Sequence, residues 1–408
     1  MGAGRYALLN LHRLYQADSE ALDGQAFGPN VLLLSGTSWA GTSPSYHLQA
    51  PVNSLLRSPK EELSGVTQSQ FYYYPLRNSK NEPIRVSGRS DINDRKTALE
   101  DIVQRLAEKD EIGETSLIES HLATIDEQRQ RALLIVGSYY EAQIVRDKLI
   151  EVRNDWKGKV VALAPDGQTF SDALSSQQEF LLRSKVQQFA KSGAFILIAP
   201  LLAIERGHNI LNDLNQAALG AAYFLVRPHP HPGDIGMAVK MLNHWALSHH
   251  DNSVWFERQN NGQLPEANDM NRIFRARAIR NWNHYIRMRV QFPTMPDTER
   301  NALYWDQLVS IWQVIGRLIR GGVSAQVYFC DAAFAPNTPL GQRDTVRSSL
   351  LVGMLELLRP YFDEKSSISP RDRAVAQALY EPFFHALKNI TDLHHAVPTP
   401  ATVGVSAD

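Results

Sequence analysis

The sequence predicts an α/β fold: a parallel sheet flanked by helices, with a helical insertion and further helices towards the C-terminus. Three observations predict it. Short, continuous apolar runs recur at 133–136, 160–165, 195–199 and 221–226. Runs of that length, bounded by turn residues, read as strands buried on both faces, as parallel strands are. Amphipathic stretches separate them, as in RALLIVGSYYEAQIVRDKLIEV, where a Gly-Ser turn divides strand from helix.

Taken in order, residues 5–16 hold a short strand-like run, followed by polar sequence to Asn30. The apolar run at 31–34 reads as a buried strand ending in Ser35, Gly36 and Thr37. QFYYYPL at 70–76 reads as a strand that Pro75 confines to an edge or an end. Residues 97–109 place Leu99, Ile102, Val103 and Leu106 at helical spacing, and 116–130 and 175–191 read as further helices. Beyond the strand at 195–199 lies Glu205-Arg206-Gly207-His208-Asn209, a turn in which Gly permits close approach and Asn can bond a hydroxyl or an arginine.

The stretch 310–331, SIWQVIGRLIRGGVSAQVYFCD, reads as a helix, a Gly-Gly break and a buried strand. On one continuous helix Gln313, Arg317 and Arg320 share a face, opposite Ile311, Val314, Ile315, Leu318 and Ile319. Gly316 would let a ligand approach closely. Two guanidiniums and an amide on a rigid rod suit a phosphate; a buried helix with salt-bridged arginines is the plain alternative. Residues 271–290 carry Arg272, Arg275, Arg277, Arg280, Arg287 and Arg289, with Phe274, Trp282 and Tyr285 among them and no acid. Such a strip suits phosphates, with rings available to stack on bases; a solvated face that uses arginine stems as cover reads equally well. Amphipathic helices at 343–358 and 371–387 follow, and then a tail.

Composition narrows the function classes. With 42 basic and 43 acidic residues the net charge is −1, so a nucleic-acid site must be local. The single cysteine, Cys330, excludes a disulfide framework and a Cys-based zinc site, and fits a cytoplasmic location. No apolar run reaches membrane-spanning length and no signal-peptide pattern opens the sequence, so no membrane is expected. His229 and His231 are flanked by prolines without a carboxylate pair, so no metal site is expected.

QVIGRLIR resembles motif VI of superfamily 2 helicases, in the form used by the DinG/XPD-like branch, and Asp331 ends the following strand as it does there. Ser35-Gly36-Thr37 is similar to motif III, the strand at 133–138 to motif IV, and Glu205–Asn209 to motif V; all four stand in family order. The resemblance covers roughly residues 28–335. It departs from the family at Asn209, where Asp is commoner, and at the altered turn Arg227-Pro228-His229.

The resemblance implies a RecA-like fold and a division of the chain. Residues 1–60 would be a remnant of the first RecA-like domain and 61–130 a connector. Residues 131–234 and 305–340 would form the second RecA-like domain, 235–304 a basic helical insertion, 341–395 C-terminal helices and 396–408 a flexible tail. It implies an ATP-dependent motor in which Arg317, Arg320 and Gln313 serve catalysis, Gly207, Asn209 and Gly316 the nucleotide, and Ser35, Gly36 and Thr37 coupling. Ser138, Tyr139, Arg272, Arg275, Arg280 and Arg287 would contact single-stranded nucleic acid, DNA by preference. The sequence contains no G-x-x-x-x-G-K-[ST] loop and no strand ending in Asp-Glu. ATP and Mg²⁺ are therefore expected only with a Walker-bearing N-terminal half, missing here or supplied as another chain. The motif spellings also resemble DinG-like helicases found beside prokaryotic Argonaute-like (pPIWI-RE) genes, which implies an Argonaute-like partner and a role in defence. A non-catalytic nucleic-acid-binding module on the same scaffold is the alternative.

Overall fold

The structure is a computed structural model that describes residues 32–34, 36–48, 52–57, 59, 63–110, 113–167, 179–205, 209–230, 235–249, 252–288, 291–391 and 393. The strand-like run at 5–16 and the tail at 396–408 lie outside them. In chain order the strands are β1 (Gln70–Tyr73), β2 (Ala132–Val136), β3 (Val160–Ala164), β4 (Phe180–Leu182), β5 (Ile196–Pro200), β6 (Ala221–Phe224) and β7 (Gln326–Phe329). Among the described residues the α-helices longer than one turn are α1 (Ile92–Ala107), α2 (Leu117–Leu122), α3 (Tyr139–Val152), α4 (Ile235–His249), α5 (Ser253–Gln259), α6 (Ala267–Arg287), α7 (Asp297–Ile315), α8 (Leu350–Phe362) and α9 (Pro370–Lys388).

Two compact units divide the chain. The larger comprises 57–228, 310–367 and 380–408 and holds all seven strands in the order β1-β7-β6-β2-β5-β3-β4, every neighbouring pair parallel. This is the α/β, RecA-like parallel sheet that the sequence predicts. β2, β3, β5 and β6 are buried along their whole length, as a sheet covered by helices on both faces requires. On one face Leu99, Ile102, Val103 and Leu106 of α1 join Ala142, Val145 and Leu149 of α3 over the strand residues Leu134, Ile198 and Ala162. Asp91 starts α1 five residues earlier than periodicity suggests, because its carboxylate accepts the N–H groups of Asn93 and Asp94 at 2.8 and 3.0 Å.

β1 lies at the sheet edge and ends at Tyr73, two residues before Pro75. Residues 61–130 thus contribute β1, α1 and α2 to the same unit as the later strands. Tyr72, Tyr328 and Tyr223 are register neighbours on β1, β7 and β6, and their rings stack at 4.8 Å, the strand spacing. His121 of α2 covers the ladder at 4.3 Å from Tyr328, with Nδ1 3.0 Å from the Tyr223 hydroxyl. Burial lowers the His121 pKa, which favours the neutral ring.

Three expectations need correction. Residues 32–34 form no strand; Leu32 and Leu34 are 76% and 91% exposed, so this apolar run packs into no sheet among the described residues. The helix expected over 116–130 stops at Leu122, and a 3₁₀ turn follows at Glu127–Arg129. The helix expected over 175–191 is instead β4 followed by a 3₁₀ helix at Arg183–Lys191, with 168–178 outside the described residues.

The smaller unit comprises 1–56, 229–309 and 368–379. Its helices α4, α5 and α6 pack through aromatic rings: Trp245 stacks on Phe274 at 5.0 Å and meets Trp255 edge-on at 5.8 Å. No helix among the described residues is long and apolar enough to cross a membrane.

Candidate functional site

The segment spelled QVIGRLIR is shaped by a neighbour that carries no sequence signal, Arg129. Its buried guanidinium donates to four main-chain carbonyls: Ala217 at 2.8 Å, Ser324 at 2.8 Å, Leu219 at 3.1 Å and Leu318 at 2.7 Å. Those acceptors lie on the approach to β6 and on the turn between α7 and β7, so one planar fork holds both. Burial lowers the pKa of this guanidinium.

α7 ends at Ile315, which corrects the single helical face expected for Gln313, Arg317 and Arg320. The Gly316 N–H still reaches the Trp312 carbonyl at 2.8 Å, but Arg317 and Leu318 bond Val314 and Ile315, three residues back, at 2.9 and 2.8 Å. The last turn tightens and the chain leaves the helix axis. Gln313 stays half-buried on the helix, Arg317 is buried just beyond it, and Arg320 is half-buried in the next turn. A Cβ at Gly316 would meet only its own turn, the Gln313 and Trp312 carbonyls at 3.3 Å, and no other element crowds that position. The glycines that matter are Gly321 and Gly322, at φ +79° and +73°, a conformation L-residues adopt at a cost.

Arg317 donates from Nη2 to the Glu205 carbonyl at 2.8 Å. The turn after β5 and the turn after α7 therefore meet at one guanidinium. Burial pushes the Arg317 pKa down to about 10, the positive charge of Arg320 acts in the same direction, and Glu205 opposes both. Arg320 is also lowered by burial. Asn209 is exposed in irregular chain, and Gly207 lies outside the described residues.

At the carboxyl ends of the strands the loops are held by carboxylates. Asp331, after β7, is fully buried and accepts N–H groups from Val86 (3.1 Å), Ser87 (2.9 Å), Arg227 (3.2 Å) and Ala333 (2.9 Å). After β2, Gly137 donates to the Glu141 carboxylate at 2.6 Å, and Arg95 pairs with the same group at 2.5 Å. The start of α3 thus carries its own anion. Ser138 is exposed and caps α3, accepting the Glu141 N–H at 3.2 Å; Tyr139 is half-buried and burial raises its pKa.

In the smaller unit the motif III-like stretch forms a 3₁₀ turn, Gly36–Ser38, with Thr37 half-buried; Ser35 lies outside the described residues. The chemistry of this loop sits a few residues later. The hydroxyls of Ser43 and Ser45 both donate to the Asp306 carboxylate, the second at 2.5 Å. Burial raises the Asp306 pKa, and those bonds together with Lys240 oppose the rise. Trp39 meets Trp305 edge-on at 5.9 Å, and Gly41 (φ +50°) leaves room for the Trp305 ring.

On α6 the arginines are where the sequence put them, exposed. Arg272 pairs with Asp269 at 2.9 Å; among the described residues no carboxylate pairs with Arg275, Arg280 or Arg287. The aromatic expectation needs correction at Phe274, which is stacked on Trp245; Trp282 and Tyr285 are half-buried. His229 meets Phe292 edge-on at 5.6 Å, and His231 lies outside the described residues. No cluster of three metal-capable side chains occurs among the described residues. No family model matches the chain, and no curated protein matches it.

Proposed function

We propose that the chain supplies the C-terminal part of an ATP-dependent DNA helicase or translocase of the DinG/XPD-like kind. The observation that carries this reading is the bond from Arg317 to the Glu205 carbonyl, which spans 112 residues. It joins the segment spelled like motif VI to the one spelled like motif V, on a wholly parallel sheet. Two partly desolvated guanidiniums lie close enough for Arg320 to depress Arg317. An anion with several oxygens, such as a nucleotide γ-phosphate, relieves that repulsion and accepts their N–H groups.

In this reading Arg317 is the positioning residue, tied to the main chain, and Arg320 is the cation that meets charge developing on the transferred phosphoryl group. The sequence carries no phosphate-cradling loop, so that loop and the Mg²⁺ ligands come from a Walker-bearing half. Asn209 in its loop, and Ser138 and Tyr139 at the start of α3, lie beyond strand ends, where a single strand of DNA would pass.

The test is ATP hydrolysis by this chain alone and by the chain joined to a Walker-bearing half, with and without single-stranded DNA. Hydrolysis is expected only in the completed protein. Arg320→Ala should lower it by about 10³-fold, within the range an arginine finger supplies. Completed-protein rates indifferent to both Arg320→Ala and Arg317→Ala would defeat the assignment. Salt-sensitive DNA binding without hydrolysis in any completed form would favour the binding-module alternative, which the exposed arginines of α6 also suit.

A further inference from the structure

We propose that α6 is a duplex-binding rod, which seats its outer face on the two phosphate backbones of a nucleic-acid duplex rather than on the bases of a single strand. The inference rests on the nucleic-acid motor reading and deepens it. Four features of the helix carry it.

First, the helix is long and stands out. Its 21 residues span about 31 Å at 1.5 Å per residue, and none of them is fully buried. Secondly, its charges face solvent with few acids to balance them. The Arg272 side chain is 78% exposed, and Arg275, Arg280 and Arg287 are exposed with no paired carboxylate among the described residues. A helix face that merely needs solvation commonly places acids among its arginines as i, i+3 or i, i+4 pairs; this one does so only at Arg272, three residues from Asp269.

Thirdly, the charges splay. At about 100° per residue, Arg275 and Arg280 point about 140° apart around the axis, with Arg272 and Arg287 between them. Cations on both flanks of one rod can reach the two walls of a groove, and the B-form major groove, about 12 Å wide, admits a helix. A single strand offers one line of phosphates. Fourthly, the stacking platform is small. Binding to single strands draws on exposed aromatic faces. Here Phe274 is stacked on Trp245 and Tyr285 shares its half-buried side, which leaves only Trp282, half-buried beside Arg275. The outer face instead presents Ile279 and Ile286, 61% and 45% exposed, branched apolar groups suited to contact with thymine methyls in a groove.

The test uses the full chain and fluorescently labelled 25-base-pair DNA, the matching 25-nucleotide single strand and a 25-base-pair RNA duplex, titrated across salt. The variant is Arg275→Gln/Arg280→Gln/Arg287→Gln, three exposed sites that leave the packing intact. Duplex affinity should fall at least tenfold and the slope of log K against log salt by about 2 to 3, about 0.9 for each phosphate that is no longer neutralised. Single-strand affinity should change less than twofold. The two duplexes separate a groove that must be B-form from one that need not be. Unchanged duplex binding, or an equal loss for duplex and single strand, overturns the inference. Neither result touches the motor reading, which stands or falls on Arg320 and ATP hydrolysis.

Discussion

Arg129 bonds four carbonyls, three of them in buried contacts and the Ser324 carbonyl in a half-buried one, and among the described residues no carboxylate hydrogen-bonds its guanidinium. Removing it leaves several orphaned acceptors, each costing about 1 kcal/mol or more. Arg129→Met should therefore lower stability by about 3 kcal/mol or more, read from the urea midpoint. Arg129→Lys should recover only part of that, since an ammonium cannot reproduce the planar fork. Glu119 makes a second residue-scale case. Its bonds to Arg153, at 2.8 and 2.9 Å, pull its carboxyl down to about 2. A carboxyl depressed on folding contributes stability that is fully present above its unfolded value, about 4.5, and is lost as pH falls towards 2. The urea midpoint of the wild type should drop across that window, and in Glu119→Gln the part of the drop due to this pair should vanish. An equal drop in the variant would show that other carboxyls carry it.

At the scale of elements, the turn between α7 and β7 decides how Arg317 and Arg320 are presented. Gly321 is held in the left-handed region, and a Cβ there would lie 3.0 Å from the Gln216 Cα. Gly321→Ala should cost about 1–2 kcal/mol in the urea midpoint from the strained backbone alone. Gly316→Ala, with a negative φ and only its own turn's carbonyls nearby, should cost well under 1 kcal/mol. The reverse ranking would mean that Gly316 faces a close neighbour after all. This contrast also shows what the sequence could reveal. The strands read at 133–136 and 195–199 and the apolar side of α7 were legible because burial leaves a pattern in residue type. The exit from helix at Gly316 was not legible, because Leu-Ile-Arg continues a good helical pattern and the force that ends it is Arg129, nearly two hundred residues away. Ser43, Ser45 and Asp306 were missed for the same reason: their partnership spans some 260 residues and leaves no local period. Phe274 looked available for stacking because sequence shows that a ring is present and not which side of the helix it takes.

For the larger unit as a whole, Cys330 is a built-in reporter of how the sheet opens. It is the only cysteine in the sequence, it follows β7 directly, and it is fully buried. Burial raises the thiol pKa strongly, and the Asp331 carboxylate adds to the rise. The thiolate, the form that reacts, is thus suppressed in the folded sheet both by exclusion and by charge. β7 lies between β1 and β6, and the tyrosine ladder ties all three, so exposing Cys330 requires separating those strands. Labelling by a thiol reagent at pH 8 should therefore be slow in the native protein and should track the population of the unfolded sheet. If so, Arg129→Met, about 3 kcal/mol less stable, labels on the order of a hundredfold faster, since each 1.4 kcal/mol is a factor of ten in that population. Fast labelling in native buffer, insensitive to Arg129→Met, would mean that β1 and β7 open locally while the rest of the sheet stays closed. In that case the edge of the sheet, and not its centre, would set how firmly the turn bearing Arg317 is held.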